Sequence, residues 1–246
     1  MRSLIIYAVG FVLLFSCQQN QSHDLTIFKY NQASGITSLD PAFAKNQANI
    51  WAVSQLFNGL VQLDSNLQIQ PCIAREWEMS EDGLTFTFHL RDDVFFHDSE
   101  HFEEGKGRQV VAQDFVYSFS RIVDEKTASS GAWIFNGKID DEIPFLAIDD
   151  KTFQLKLAQP FRPILGILAM PYCFAVPHEV VDFYGKDFRA NPVGTGPFYL
   201  KVWEEGTALV ALKNEQYFET VNDEKLPYLD GFKCTFVENK KMVRNS

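Results

Sequence analysis

Apolar and polar residues alternate along this chain with two different periods. The plainest two-residue period runs from Leu84 to Leu90, where Leu84, Phe86, Phe88 and Leu90 alternate with Thr85, Thr87 and His89. That pattern predicts a strand with one face buried and the other wet. Glu81-Asp82-Gly83 just before it supplies the turn that a reversal needs. Thr152 to Leu157 alternates in the same way until Pro160 and Pro163 stop it. Further strands are predicted from Leu25, Ile27 and Phe28, at Tyr199 to Trp203, at Thr207 to Lys213 and at Gly231 to Phe236. The helical period appears where Ile50, Val53, Phe57 and Leu60 recur at three- and four-residue spacing, with Gly59 placed to end the helix. Ala112, Phe115, Phe119 and Ile122 form an apolar stripe on a second helix of about three turns, with Arg121 expected to face away. Pro177 to Val181 predicts a short helix with proline at its first position and Gly185 near its end. Short strands alternate with modest helices, without repeats or low-complexity tracts, which is an α/β or α+β signature. The 246 residues are 46% hydrophobic and include 23 phenylalanines, enough for a substantial core in one or two domains.

The N-terminus follows different rules. Arg2 precedes the apolar run Leu4 to Phe15, which gives way at Ser16-Cys17 to the polar run QQNQSHD. One charge, a short apolar stretch and a small residue before a cut make a secretory signal too short to span and remain in a bilayer. Leu14-Phe15-Ser16-Cys17 resembles the bacterial lipobox, which implies cleavage before Cys17 and lipidation of that cysteine. An ordinary signal peptide ending near a cysteine is the alternative. On the lipobox reading, residues 1–16 are the signal and 17–23 a tether between lipid and folded domain.

Residues 1–16 carry only Arg2, so the mature chain holds 21 basic against 32 acidic side chains. Such a surface repels nucleic acid and anionic lipid. The three remaining cysteines, Cys72, Cys173 and Cys234, have no metal-knuckle or redox spacing. Buried free thiols are expected, although an oxidising compartment would allow one disulfide.

Catalytic signals are weak. Gly194-x-Gly196 lacks the Gly-Lys-Ser/Thr ending of a nucleotide loop, and Pro197 interrupts the helix that a dinucleotide fingerprint requires, so a tight structural turn is expected. His97, Asp98, Glu100 and His101 cluster locally, but the polar run after them predicts a solvated loop rather than a metal site. With no Gly-x-Ser-x-Gly elbow, His-Glu-x-x-His helix or Cys/His pair, the chain is not expected to be an enzyme, and neither a metal nor a cofactor is expected.

Four ordered stretches carry a resemblance. They are Ser38-Leu39-Asp40-Pro41 with Gln55-Leu56-Phe57-Asn58-Gly59-Leu60; Ala74-Arg75-Glu76-Trp77 with the strand through Leu90-Arg91-Asp92; Ala112-Gln113-Asp114-Phe115-Val116-Tyr117-Ser118; and Asn191 to Tyr199. Together they resemble the family 5 extracellular solute-binding proteins, which include dipeptide-, oligopeptide- and nickel-binding proteins. The resemblance implies an α/β fold of the periplasmic-binding-protein-like II class, a two-lobe flytrap that closes on its solute. Residues 24–57 and 178–246 would form a discontinuous first lobe, with 58–177 as a smaller inserted domain and the second lobe missing. A single wall would bind solute weakly or not at all.

The resemblance further implies capture of peptides for an ABC transporter permease, at the periplasmic or extracytoplasmic face, by a monomer anchored to the membrane through lipid. Lys45-Asn46-Gln47 matches the strand that pairs with the ligand backbone in peptide binders. Gly131 and Trp133 fall where the smaller domain offers a further ligand contact, with a core aromatic as the alternative role for Trp133. Peptide binders often present an acidic residue or tyrosine where this chain has Lys45 and Gly131. A binder of nickel, haem or another small solute shares the fold, as would a structural lipoprotein without transport.

Overall fold

In the computed structural model, residues 25–236 are described; the expected signal, Cys17, the tether and the last ten residues lie outside them. Four strands form the first sheet: β1 (Ile27–Gln32), and from much later in the chain β8 (Phe198–Glu204), β9 (Ala208–Lys213) and β12 (Gly231–Phe236). Their order is β1-β12-β9-β8, with β1 parallel to β12 and the other neighbours antiparallel. The second sheet, entirely antiparallel, has the order β4-β5-β7-β6, from β4 (Ala74–Met79), β5 (Thr85–Leu90), β6 (Phe145–Asp149) and β7 (Thr152–Lys156). Two hairpins complete the strands: β2 (Val61–Leu63) with β3 (Ile69–Pro71), and β10 (Thr220–Val221) with β11 (Glu224–Lys225). The helices are α1 (Gln47–Leu56), α2 (Ala112–Val123), α3 (Ile164–Leu168) and α4 (His178–Tyr184).

β5 follows the alternation in its residues: Phe86, Phe88 and Leu90 are buried, whereas Thr85, Thr87 and His89 are partly exposed. α2 lies across that sheet and buries the whole predicted stripe, Ala112, Phe115, Phe119 and Ile122. Phe119 meets Phe153, Phe145 and Phe135 at ring-centroid distances of 5.4, 5.4 and 5.5 Å. Each such ring contributes about 1.5–3 kcal/mol by leaving water. Asp114, in the helix's first turn, accepts a hydrogen bond from the Val111 amide (2.9 Å), which satisfies one of the amides that a helix start leaves open. One connected apolar cluster runs from Leu39 and α1 through the second sheet to Leu209 and Phe232, so the two sheets share a core.

Two expectations are corrected. Arg121 does not face away: its guanidinium bonds Asp40 at 2.8 and 3.3 Å, with only 13% and 4% of the two side chains exposed. The helix expected to carry the Ile50–Val53–Phe57–Leu60 spacing and to end at Gly59 ends instead at Leu56, and Phe57 is extended. Phe57 and Leu60 are still buried, but outside the helix. The reason is competition for backbone groups. The Gly196 amide donates to Leu56 O (2.9 Å), and the Asn58 amide donates to Thr195 Oγ1 (3.1 Å), which diverts both from helical partners.

The Gly194–Gly196 turn therefore caps α1 from across the chain, and only glycine allows the approach. A Cβ at Gly196 would stand 2.4 Å from the Leu56 carbonyl carbon, and one at Gly194 only 2.0 Å from Leu56 O. His97 holds the other side of the turn. Its Nε2 donates to Gly196 O (2.9 Å), and its Nδ1 accepts from the Gly194 amide (3.3 Å). Because one partner is a carbonyl and the other an N–H, the neutral ring with its proton on Nε2 is the form that fits. Burial pushes its pKa down to about 4, against a small upward effect of the Gly196 carbonyl and Asp98.

Two outcomes follow from this turn. Gly196→Ala is expected to destabilise the chain by about 2 kcal/mol or more, since backbone rather than a flexible side chain must yield; urea denaturation would measure it, and an unchanged midpoint would contradict the packing. Below pH 6.5 the unfolded chain takes up a proton that folded His97 refuses until about pH 4. Stability from this group is thus complete above pH 6.5 and falls by roughly 3 kcal/mol as pH drops toward 4. The loss should disappear in His97→Gln when urea midpoints are followed from pH 7 to 4.

Candidate functional site

The turn at Ser38–Pro41 sets the position of everything that precedes α1. Ser38 Oγ accepts the Asp40 amide (3.1 Å), Asp40 Oδ1 accepts the Ala42 amide (3.0 Å), and the Leu39 amide donates to Arg189 O (2.9 Å). The short 3-10 turn Pro41–Phe43 then delivers Lys45, Asn46 and Gln47 to the surface, Lys45 and Gln47 exposed and Asn46 half-buried. These three residues do not form a strand. Asn46 is the N-cap of α1, its Oδ1 accepting the Asn49 amide (2.9 Å), and Gln47 is the first helical residue. Asparagine at this point stabilises the helix start more than it supports an extended run. Asn49, buried behind the cap, accepts the Thr37 amide (3.0 Å) and so fastens the segment from below.

The second expected segment lies against the first. Ser129 Oγ donates to Ala42 O (2.6 Å) and accepts the Gly131 amide (3.0 Å), joining residues 87 positions apart. Gly131 packs on Tyr172 so closely that a Cβ there would stand 2.6 Å from the ring. This accounts for the glycine without any demand on φ, which is −94°. Trp133 sits in the 3-10 turn Ala132–Ile134 and is 55% exposed, so it is not a core aromatic; the buried Ile134 and Phe135 anchor the turn instead. Lys138 Nζ reaches the Trp133 carbonyl at 3.4 Å. Ser129 thus ties the segment that leads to Lys45, Asn46 and Gln47 to the one that carries Gly131 and Trp133, and the two tied segments form a rim.

The loop with His97, Asp98, Glu100 and His101 is only partly solvated, contrary to expectation. His97 is buried, and His101 packs against Phe183 and Tyr184 at 4.2 and 5.0 Å between ring centroids. Asp98 is held below the usual carboxylate range by Lys106 (2.7 Å) and the Gly107 amide (2.9 Å). Among the described residues no group of three or more His, Cys, Asp or Glu side chains is arranged to hold a metal ion. Cys72, Cys173 and Cys234 are free and buried, and burial pushes all three thiols up.

Two surface grooves accompany the rim. The larger, about 420 Å³, lies along β8 between Asp98, Glu100, Asn191, Tyr199 and Lys201, and includes none of the rim residues. The smaller, about 270 Å³, lies between α1 and the sheet and is lined by Phe28, Tyr30, Trp51, Gln55, Phe198 and Phe232, with Leu229 at one end. Trp51 is 51% exposed. Its spacing of four residues from both Gln47 and Gln55, off the Ile50/Val53 stripe, is the one sign of this groove in the sequence.

Comparison with known proteins gives a consistent answer. The model of bacterial extracellular solute-binding proteins, family 5 Middle, matches residues 68–245. A probable deoxycholate-binding periplasmic protein of Escherichia coli is 34% identical over 206 residues, covering 78% of this chain and 37% of that protein. A dipeptide-binding protein of Bacillus subtilis is 27% identical over 253 residues, covering 92% and 44% respectively. An ABC transporter-associated periplasmic binding protein from Helicobacter pylori, solved in complex with the peptide STSA, superposes with a TM-score of 0.76 at 27% identity, covering 87% of this chain and 43% of that one. The chain therefore spans about two fifths of the length of such relatives.

Proposed function

Because the chain belongs to the bacterial extracellular solute-binding proteins of family 5, we propose that it forms part of the solute-capturing component of an ABC transporter and that its solute is a peptide. The observation that carries this reading is the rim itself. Ser129 bonds both the Ala42 carbonyl and the Gly131 amide, which ties the segment leading to Lys45–Gln47 to the one carrying Gly131 and Trp133. Backbone groups and amide side chains along such a rim engage the repeating amides that every peptide shares, which suits broad specificity. The dipeptide-binding relative and the neighbour solved with peptide STSA favour peptide over other solutes. Residues 24–57 and 178–246 act in this reading as one discontinuous domain carrying Lys45, Asn46 and Gln47, and 58–177 as the inserted domain carrying Gly131 and Trp133.

The same reading places the protein at the periplasmic or extracytoplasmic face as a monomer, delivering solute to a permease and held to the membrane by lipid on Cys17. It assigns the protein to binding rather than to catalysis. Lipid attachment is supported by Leu14-Phe15-Ser16-Cys17 and the polar run after it.

Two measurements test these proposals. Titrating tetra-alanine into the ¹⁵N-labelled chain is expected to shift the amides of Lys45, Asn46, Gln47 and Gly131 with a dissociation constant of roughly millimolar, since a single wall leaves much of the ligand in water. Shifts that avoid this rim would overturn the site, and no binding at all would overturn capture of peptide by this wall alone. For the anchor, Cys17→Ser is expected to move the protein from the membrane fraction to the soluble fraction of cells expressing it. Retention in membranes would exclude lipid on Cys17 as the tether.

A further inference from the structure

Two Asn-Gly pairs occur in the chain, Asn58-Gly59 and Asn136-Gly137, and the fold treats them oppositely. Asn58 is 8% exposed; its Oδ1 accepts from Thr195 Oγ1 (3.1 Å) and its Nδ2 donates to the Tyr217 hydroxyl (3.3 Å). Gly59 is walled in by the Phe174 ring, which lies 3.1 Å from where a Cβ would stand. Asn136 and Gly137 are instead exposed, at the centre of a turn that the Lys138 amide closes by donating to Phe135 O (3.0 Å). Gly137 has a φ of +65°, and open space surrounds the position of its absent Cβ. Among the described residues, no hydrogen bond ties the Asn136 side-chain amide or the Gly137 N–H.

This placement suits a reaction within the chain, in which the Gly137 nitrogen attacks the side-chain carbonyl carbon of Asn136. Nucleophile and electrophile are already joined by a few bonds, so no entropy is spent on bringing them together. Glycine leaves the attacking nitrogen unshielded and the backbone free to fold onto the side chain. The nitrogen gives its proton to base and attacks as the anion. Its bond to Cγ forms, and the side-chain nitrogen takes a proton from water and leaves as ammonia. Water then opens the cyclic imide at either of its two carbonyls. One opening gives aspartate; the other gives isoaspartate, in which the main chain runs through Cβ and Cγ. The sum is asparagine and water going to a carboxylic acid and ammonia, with no oxidant or reductant.

A neighbouring cation favours the anionic nitrogen. Lys138 Nζ lies 3.5 Å from Asn136 O and 3.4 Å from Trp133 O. Asn136 O belongs to the peptide unit whose nitrogen attacks, and resonance spreads the charge of the deprotonated amide onto that oxygen. An ammonium there stabilises the charge as it develops. We propose that Asn136-Gly137 is a site of spontaneous deamidation assisted by the Lys138 ammonium, and that burial protects Asn58-Gly59. The product sets a carboxylate beside Lys138 that competes with the Trp133 carbonyl for its ammonium, so the change reaches the turn on which Trp133 stands. None of this depends on which solute the protein captures.

The test incubates the whole folded chain in mildly alkaline buffer and follows both asparagines by peptide mass spectrometry that separates aspartate from isoaspartate, with a sample in urea giving the unfolded rates. Asn136 is expected to convert within about 5-fold of its rate in urea, to a mixture containing isoaspartate, and Asn58 at least about 100-fold more slowly than in urea. Lys138→Met should slow Asn136 in the folded chain by about 3-fold, a modest effect because the charge is screened at the surface. Gly137→Ala should slow it by about 10-fold or more. Equal rates for the two asparagines in the folded chain, or an Asn136 that stays intact while the chain in urea reacts, would overturn the site. Aspartate formed without isoaspartate would overturn the imide route, and an unchanged rate in Lys138→Met would overturn the part given to the ammonium.

Discussion

The arrangement depends on a buried ion pair between two distant parts of the chain. Asp40 and Arg121 are almost withdrawn from water, which costs several kcal/mol for each ion unless the partners satisfy one another. Here they do: the guanidinium makes two contacts to the carboxylate, Asp40 Oδ1 also accepts the Ala42 amide, and Arg121 lies 5.8 Å from the centre of the Phe188 ring. Three runs of sequence thereby converge on one point: the turn before α1, the last turn of α2, and the segment after α4. The rim follows from this convergence. With Asp40 fixed, Ala42 can present its carbonyl to Ser129, which ties the segment leading to Lys45–Gln47 to the one carrying Gly131 and Trp133.

The same logic recurs along the seam between α2 and α4. Arg108 bridges Asp114 and Glu179 with four hydrogen bonds between 2.5 and 2.9 Å, and the Tyr117 hydroxyl donates to Asp182 at 2.7 Å. The Arg108 guanidinium also lies 5.1 Å from the Phe96 ring centre, so its planar face is used along with its edges. Together with the shared apolar core, these contacts make the two sheets one mechanical unit. A closing motion inside residues 25–236 would have to break the seam.

Much of the framework was legible in the residues because it depends on local periodicity. β5 and β7 alternate so cleanly that burial could be assigned position by position, and the α2 stripe was complete. The errors fall where a distant segment overrides a local pattern. Phe57 and Leu60 continue the helical spacing of α1, but the Gly194–Gly196 turn claims the Leu56 carbonyl and Thr195 claims the Asn58 amide. Arg121 occupies the polar side of its helix, and nothing nearby in sequence announces Asp40, 81 positions earlier. His97 looked like a loop residue because its partners lie about a hundred positions downstream. For the candidate site, family resemblance pointed to Lys45–Gln47 and Gly131–Trp133, whereas the tie between their segments is a side-chain hydrogen bond from Ser129 to Ala42 that no spacing rule anticipates. Trp51 was overlooked because a single tryptophan off an apolar stripe is ordinary until the aromatic floor opposite it is known.

The pairing of β1 with β12 has a further consequence, for the order in which the molecule can assemble. Ile27 pairs with Gly231, across more than 200 positions of chain. At ribosomal speeds of about 5–20 residues per second, the first strand leaves the exit tunnel on the order of 10–40 s before its partner exists. The second sheet needs no such wait, since β4 to β7 and α2 are drawn from one continuous stretch. Local contacts close faster than distant ones, so the second sheet with α2 is the natural nucleus and the first sheet its late addition. Until then Phe28, Tyr30 and the open edge of β1 are unpaired and prone to sticking, so the interval before Gly231–Phe236 emerges is the one in which the chain is most exposed to misassociation.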